Sequence, residues 1–248
     1  GADAILSVTP YYNKPSQEGL YQHFRTVSEH SPLPVILYNI PGRCVVNMEA
    51  ETTLRLANDC ENVIAVKEAS GKMDQIATIA AAAPEGFSVY SGDDSATYDI
   101  MRLGGAGVIS TTGNVAPERM KELVTKCAEG KWDEAWAAHE ALLPLMNGLF
   151  ETSNPILVKE ALKLVGFPVG GVRLPLIDAT AEQSHRSCAR SASFNRSAQT
   201  PAGGLRLRAF AYRDKGNIWK RKNIPNQLLV SPTTVPRRRE RKPKLTSM

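Results

Sequence analysis

Val63-Ile64-Ala65-Val66-Lys67-Glu68 is the stretch that decides the fold. Four apolar residues, three of them β-branched, run without polar alternation. That pattern marks a strand covered on both faces, as in a parallel sheet. An ammonium and a carboxylate close the run, so polar chemistry collects at the C-terminal end of the strand. The same design repeats on both sides. Residues 4–8 lead into Tyr11-Tyr12, residues 34–38 into Tyr38-Asn39 and residues 87–91 into Ser91-Gly92-Asp93, and residues 107–110 close the series. Between the strands lie helical spacings: Leu20, Phe24 and Val27 after Pro15-Ser16; Met73, Ile76, Ile79 and Ala80; and Met120, Leu123, Val124 and Cys127 after Pro117. The repeat is roughly 20–30 residues, the length of a βα unit. Two further helices are expected over 132–148 and 155–165, with Asn154 as N-cap, Pro155 in the first helical position and Gly166 as the stop. No sixth strand is expected after Ser110.

Repeated βα units build either a doubly wound sheet or a barrel. Polar residues gathered at the strand ends favour the barrel, whose active sites form there. The expected class is α/β, a partial (β/α)8 TIM barrel with about five of eight strands in residues 1–130, followed by a helical region over 131–182. The chain opens on Gly1-Ala2-Asp3-Ala4, already inside a strand-like run, which suggests a fragment lacking about three upstream βα units.

Charge divides the chain sharply. Residues 1–182 hold 14 Lys+Arg and 23 Asp+Glu, a net of −9, whereas residues 183–248 hold 16 and 2, a net of +14. Apolar periodicity stops at the same boundary, beyond which the text turns Ser-, Arg- and Pro-rich and ends in Arg237-Arg238-Arg239-Glu240-Arg241-Lys242-Pro243-Lys244. A low-complexity, disordered tail is expected, because so little apolar surface cannot offset the entropy of ordering. Its charge invites nucleic acid, yet no reader module or aromatic-interleaved basic motif accompanies it. A reading frame shifted or misjoined at one point accounts for the change better, and no nucleic-acid partner is expected. No apolar run approaches the ~18 residues of a membrane helix. Four cysteines without metal-ligand spacing suit a reducing, cytoplasmic setting.

Three side chains stand at neighbouring strand ends. Lys67 closes an apolar strand, where poor solvation lowers an amine's pKa and frees it to attack a carbonyl as a Schiff-base nucleophile; pairing with Glu68 or escape to solvent is the alternative. Tyr38 can exchange protons beside such an amine, or simply cap the rim. Arg43, after the turn at Pro41-Gly42, can take a carboxylate bidentately, or lie on the surface. In extended backbone only one of Tyr11 and Tyr12 can face the barrel mouth, leaving the other for a neighbouring subunit; two buried rim aromatics are the alternative. Gly104-Gly105-Ala106-Gly107 precedes a strand and so is no dinucleotide fingerprint. Asp93-Asp94 reads as a helix cap, and the four histidines form no ligand pair, so no metal site is expected.

These motifs also occur together in a known family. Thr9-Pro10-Tyr11-Tyr12-Asn13-Lys14-Pro15, Tyr38-Asn39-Ile40-Pro41-Gly42-Arg43, Val66-Lys67-Glu68-Ala69-Ser70-Gly71, Ser91-Gly92-Asp93-Asp94 and Gly107-Val108-Ile109-Ser110, in this order, resemble the 4-hydroxy-tetrahydrodipicolinate synthases of the pyruvate-dependent class I aldolase superfamily. The resemblance covers roughly residues 1–182. It implies that Lys67 forms a covalent imine with pyruvate, without any cofactor, and that the derived enamine attacks L-aspartate 4-semialdehyde in the lysine–diaminopimelate pathway. It implies that Tyr38 shuttles protons, that Tyr12 joins a relay, often from a partner subunit, and that Arg43 holds the semialdehyde carboxylate. The Ile109 carbonyl and Gly92 would line the pyruvate pocket. A homo-oligomer, a dimer of dimers in the family, and no membrane partner follow from the same likeness.

Arg43 and Lys67-Glu68 favour the synthase over N-acetylneuraminate lyase, while 2-keto-3-deoxy sugar acid aldolases share the lysine and tyrosine. Cys44 stands where the synthases commonly carry threonine. The family's Gly-Thr-Thr-Gly-Glu loop is not found in this sequence, and most of its lysine-feedback pocket is missing with it. Loss of those placed donors implies a lowered rate, so a catalytically silent fragment is the competing expectation.

Overall fold

In a computed structural model, the structure describes residues 1–184 and the short strand at 209–211. Of the tail expected to be disordered over 183–248, residues 183–184 close a helical turn that begins at 181 and 209–211 form a strand, and for the rest the expectation falls outside the described residues. Five strands, β1 (Ile5–Val8), β2 (Val35–Asn39), β3 (Val63–Glu68), β4 (Ser88–Ser91) and β5 (Gly107–Ile109), form a parallel sheet in sequential order. Each strand pairs with its neighbour in sequence, and the order never reverses. A doubly wound sheet needs such a reversal, whereas a (β/α)8 barrel winds one way. The described residues therefore contribute five parallel strands to a barrel winding, with the helices on the outer face.

Each helix packs for the reason its spacing gives. In α1 (Gln17–His30), Ser16 caps the first turn by accepting from the Gly19 N–H at 3.2 Å, and Leu20, Tyr21 and Phe24 are buried against the sheet. In α6 (Pro117–Ala128), proline takes the first turn, where it loses no helical hydrogen bond, and Met120, Leu123, Val124 and Cys127 are buried. Those four share one core with Ala135, Ala138, Leu142 and Met146 of α7 (Trp132–Gly148). The helix α8 (Ile156–Leu164) adds Val158 and Ala161 to Leu145 and Leu149 of α7. Among the described residues, no helix is long and apolar enough to cross a membrane.

The structure corrects the reading in several places. A sixth strand exists: β6 (Ala209–Ala211) runs antiparallel beside β5, pairing Gly107 with Ala211 and Ile109 with Ala209. Asn154 is not the N-cap of α8, nor Pro155 its first residue. A cis Asn154–Pro155 bond turns the chain there, and Pro155 itself occupies the cap position without a side-chain bond. Gly166 does end the helix, with φ +84° and its N–H on the Lys163 carbonyl at 3.1 Å. The apolar spacing finds α4 (Met73–Ala82) with the helices above, but α2 (Pro41–Cys44), α3 (Ala50–Asp59) and α5 (Thr97–Arg102) lie outside it. Two of the three buried residues of α3 are Thr52 and Thr53, and α2 and α5 are too short to show a period.

Candidate active site

The site is built where β2, β3 and β4 end. Register places Tyr38, Lys67 and Tyr90 in one row across the three strands, so their side chains share a face. The Lys67 ammonium lies 4.2 Å from the centre of the Tyr38 ring, a cation–π distance. Burial pushes the Lys67 pKa down. The negative charge of Asp94 opposes that fall and the positive charge of Arg43 adds to it. The Tyr38 phenol is pushed up by burial, with Arg43 drawing it back and Cys44 raising it further.

Glu68 does not pair with Lys67. It is fully buried on the opposite face of β3, where its carboxylate accepts from Asn39 Nδ2 at 2.7 Å, Gln75 Nε2 at 3.2 Å, Ser70 Oγ at 2.6 Å and the Ser70 N–H at 3.2 Å. Asn39 also donates to the Met48 carbonyl and accepts from the Met48 N–H. This network ties the ends of β2 and β3 to the segment that follows α2. The neighbouring amine is left unneutralised by the residue next to it in sequence, which answers one of the alternatives for Lys67.

Gly92 closes the site from β4. Its N–H donates to the Glu68 carbonyl at 2.6 Å. A Cβ there would stand 2.8 Å from Ala69 Cβ, 3.0 Å from the Glu68 carbonyl oxygen and 3.1 Å from Lys67 Cε. Only glycine lets the β4 end approach the lysine this closely. We expect Gly92→Ala to cost about 1–3 kcal/mol in overpacking and to displace the Lys67 stem. Thermal unfolding and amine-directed labelling of Lys67 check this; an unchanged midpoint with unchanged labelling would refute the steric argument.

The other candidate residues are placed as follows. Arg43 is exposed on α2, with Nη2 donating to the Asn154 carbonyl at 3.3 Å, and its charge reaches both Lys67 and Tyr38. Ile109 ends β5, two strands from Lys67. Tyr12 is not brought to the site: it is 90% exposed at φ +72°, and Tyr11 is 71% exposed. The extended backbone expected there gives way to a turn in which the Asn13 N–H meets the Tyr11 carbonyl at 2.9 Å and Lys14 is also left-handed. Neither tyrosine is a buried rim residue. Asp93 and Asp94, read together as a cap, separate. Asp93 caps, accepting from the Ser95 N–H at 3.0 Å, while Asp94 turns inward and is 2% exposed. Among the described residues, no group of three His, Cys, Asp or Glu is placed to hold a metal ion.

Residues 1–191 match the family described as the dihydrodipicolinate synthetase family. The 4-hydroxy-tetrahydrodipicolinate synthase 1 of Halalkalibacterium halodurans is 54% identical over 186 residues, which is 75% of this chain and 63% of that protein. Among solved structures, the dihydrodipicolinate synthase of Aquifex aeolicus aligns with a TM-score of 0.77 at 42% identity, covering 81% of this chain and 68% of that one. The Acinetobacter baumannii dihydrodipicolinate synthase complexed with pyruvate aligns with a TM-score of 0.73 at 39% identity, covering 77% and 67%. This chain thus spans less than two thirds of the length of the curated relative it matches.

Proposed function

The chain belongs to the dihydrodipicolinate synthetase family, and from that premise we propose that it condenses pyruvate with L-aspartate 4-semialdehyde through an imine on Lys67. One observation carries the reading above the others. Lys67 is a part-buried amine whose pKa burial lowers, held over the Tyr38 ring, with its neighbour Glu68 committed elsewhere.

The neutral Lys67 amine attacks the pyruvate ketone, and water leaves as the imine forms. Loss of a methyl proton gives an enamine, whose carbon attacks the semialdehyde carbonyl; the new carbon–carbon bond forms and the aldehyde oxygen takes a proton as a hydroxyl. The amino group of the semialdehyde then adds to the imine carbon and expels the Lys67 amine, closing the ring. Tyr38, beside the amine, is the group positioned to relay protons. Arg43, exposed and positively charged, suits the semialdehyde carboxylate. Ile109 and Gly92 would border the pyruvate. No cofactor is required, because the imine itself supplies the electron sink. The buried, free thiols of Cys44, Cys60 and Cys127 go with a cytoplasmic setting.

Tyr12 has a place in this reading only through a second copy of the chain. Nearly fully exposed and turned by a left-handed backbone, it is presented outward, where it can complete the proton relay of a neighbour. The test is incubation with pyruvate and borohydride, followed by peptide mapping at several protein concentrations. We expect one pyruvate-derived adduct, on Lys67, with a yield per chain that rises through the association range. An adduct on another lysine, or none on a folded chain, overturns the imine reading; a concentration-independent yield removes the partner from it.

A further inference from the structure

We propose that Asn47 is a positioning residue for Arg43, its carboxamide fastening the loop that carries the guanidinium to the rigid elements on either side. The assignment rests on the reading in which Arg43 takes the semialdehyde carboxylate. Arg43 stands on the loop between β2 and α3, whose own backbone bonds are short in range. The Arg43 and Cys44 N–H groups both close on the Ile40 carbonyl at 3.0 Å, and the Val45 N–H closes on the Pro41 carbonyl at 2.9 Å. Val45 is left-handed at φ +62°, a conformation that a β-branched residue keeps only where its surroundings hold it. Cys44 is buried and Val46 packs against the core, which draws the loop inward. Apolar burial has no direction of its own, however, and the direction of the loop comes from its return.

At that return the Asn39 side chain bonds both the N–H and the carbonyl of Met48, at 3.0 and 3.2 Å, as one backbone pairs with another across a ladder. Asn47, four residues past Arg43, joins this base to two helices. Its Oδ1 accepts from Asn39 Nδ2 at 3.0 Å and from Gln75 Nε2 of α4 at 3.4 Å, and its Nδ2 donates to Gln75 Oε1 at 2.8 Å. Its main-chain carbonyl accepts from Gln17 Nε2 of α1 at 2.8 Å. Gln17 Oε1 in turn accepts from the Glu49 N–H at 3.1 Å and the Thr52 hydroxyl at 2.7 Å. At its outer end the loop has the Arg43 contact with the Asn154 carbonyl, which is longer, at 3.3 Å, and exposed. The Glu68 carboxylate takes its bonds from Asn39, Gln75 and Ser70, so Asn47 acts on the Arg43 loop and not on the strand end that carries Lys67. Lys67 holds the first substrate and Arg43 meets the second. Loosening Asn47 should therefore weaken recognition of the semialdehyde and spare that of pyruvate.

Asn47→Ala removes the three carboxamide bonds and keeps the main-chain bond to Gln17. Alkylation of Cys44 with iodoacetamide, read by peptide mapping, reports on the loop, because Cys44 is 4% exposed on α2 beside Arg43. Cys127, 2% exposed in the core of α6 and α7, is the reference. In the variant we expect Cys44 to be alkylated about tenfold faster and Cys127 at an unchanged rate. No acceleration would mean that apolar burial alone holds the loop, and equal acceleration of both thiols that Asn47 only braces the fold; either overturns the assignment. The second readout concerns the substrates. Semialdehyde added before borohydride discharges the pyruvate adduct of Lys67. We expect the concentration that halves the adduct to rise about tenfold in the variant, while the pyruvate concentration that half-forms it stays within about twofold. Equal shifts in the two, or none, overturn the positioning role even if Cys44 quickens. Amide exchange in the parent does not depend on the variant folding. The Met48 N–H, closed on the Asn39 side chain, should exchange as slowly as the amides of β2 and β3, and the rate of an open loop there would refute the closed base. A parent that forms no pyruvate adduct, or one that semialdehyde does not discharge, sinks the condensation reading. Selective acceleration of Cys44 in that same chain would still leave Asn47 as the anchor of the Arg43 loop.

Discussion

Replacing Lys67 with methionine is expected to abolish the pyruvate–borohydride adduct and to raise the thermal midpoint at neutral pH. The first effect follows from chemistry, since a thioether cannot form an imine. The second follows from the site. In the fold the Lys67 ammonium is part-buried, and desolvation is the largest influence on it, outweighing the charge of Asp94, so its pKa is lowered. Its stacking on the Tyr38 ring is worth only about 0.5–2 kcal/mol and does not reverse that balance. The unfolded chain, with an ordinary lysine pKa, therefore holds the proton more tightly than the folded chain. Between the two pKa values stability rises with pH, and below both the full penalty persists. Methionine, of similar length and uncharged, removes the penalty and keeps a contact with the ring. Each kcal/mol recovered should appear as roughly 2–4 °C in the midpoint for a chain of this size. The gap between variant and parent should then narrow as pH rises toward the ordinary lysine value. Thermal unfolding followed by circular dichroism at neutral and alkaline pH reads this directly. A destabilised methionine variant, or a gap that widens with pH, would mean that Lys67 is not a strained amine.

The fold was legible where apolar runs are short and continuous, because a strand covered on both faces must read that way. All five parallel strands fall within a residue or two of their expected limits. Barrel winding was legible for a different reason: polar residues gather at the C-terminal ends of the strands, the face where barrel enzymes build their sites. Lys67, Tyr38 and Gly92 meet as that logic requires. The Tyr11–Tyr12 segment was not legible. An alternating side-chain direction assumes extended backbone, and a left-handed Tyr12 breaks the assumption with no glycine to announce it. Asp94 escaped for a related reason. Two adjacent aspartates before a helix look equivalent in sequence, and only tertiary packing sends one to the cap and the other inward. The strand β6 follows Leu205-Arg206-Leu207-Arg208, an apolar–charged alternation of period two that is easily passed over because the text around it is basic and rich in Ser and Pro.

Glu68→Ala is expected to destabilise the chain by about 2–4 kcal/mol and to slow imine trapping, whereas Glu68→Gln should stay within about 1 kcal/mol of the parent. The alanine variant strands the donors of Asn39, Gln75 and Ser70, which cannot all find other acceptors. Asn39 cannot turn its amide over, because its Oδ1 already accepts from the Met48 N–H at 3.0 Å and its Nδ2 donates to the Met48 carbonyl at 3.2 Å. Released, that cluster no longer holds the ends of β2 and β3 on which Tyr38 and Lys67 stand. Glutamine keeps the volume and can offer its oxygen to Asn39 and Gln75. Its amide then meets the Ser70 hydroxyl, which can rotate to accept, and only the longer bond from the Ser70 N–H is lost. Against that loss stands the relief of a buried charge, since burial raises the Glu68 pKa despite four hydrogen bonds. With a raised folded pKa, the folded state binds the proton more tightly than the unfolded chain, so stability falls as pH rises from the ordinary carboxylate range through that value. The parent should therefore gain on the Gln variant as both are acidified from neutrality, and urea unfolding at a series of pH values measures the difference. If glutamine costs as much as alanine, the network needs the charge itself, and Glu68 then serves Lys67 electrostatically and does not merely brace the strand ends.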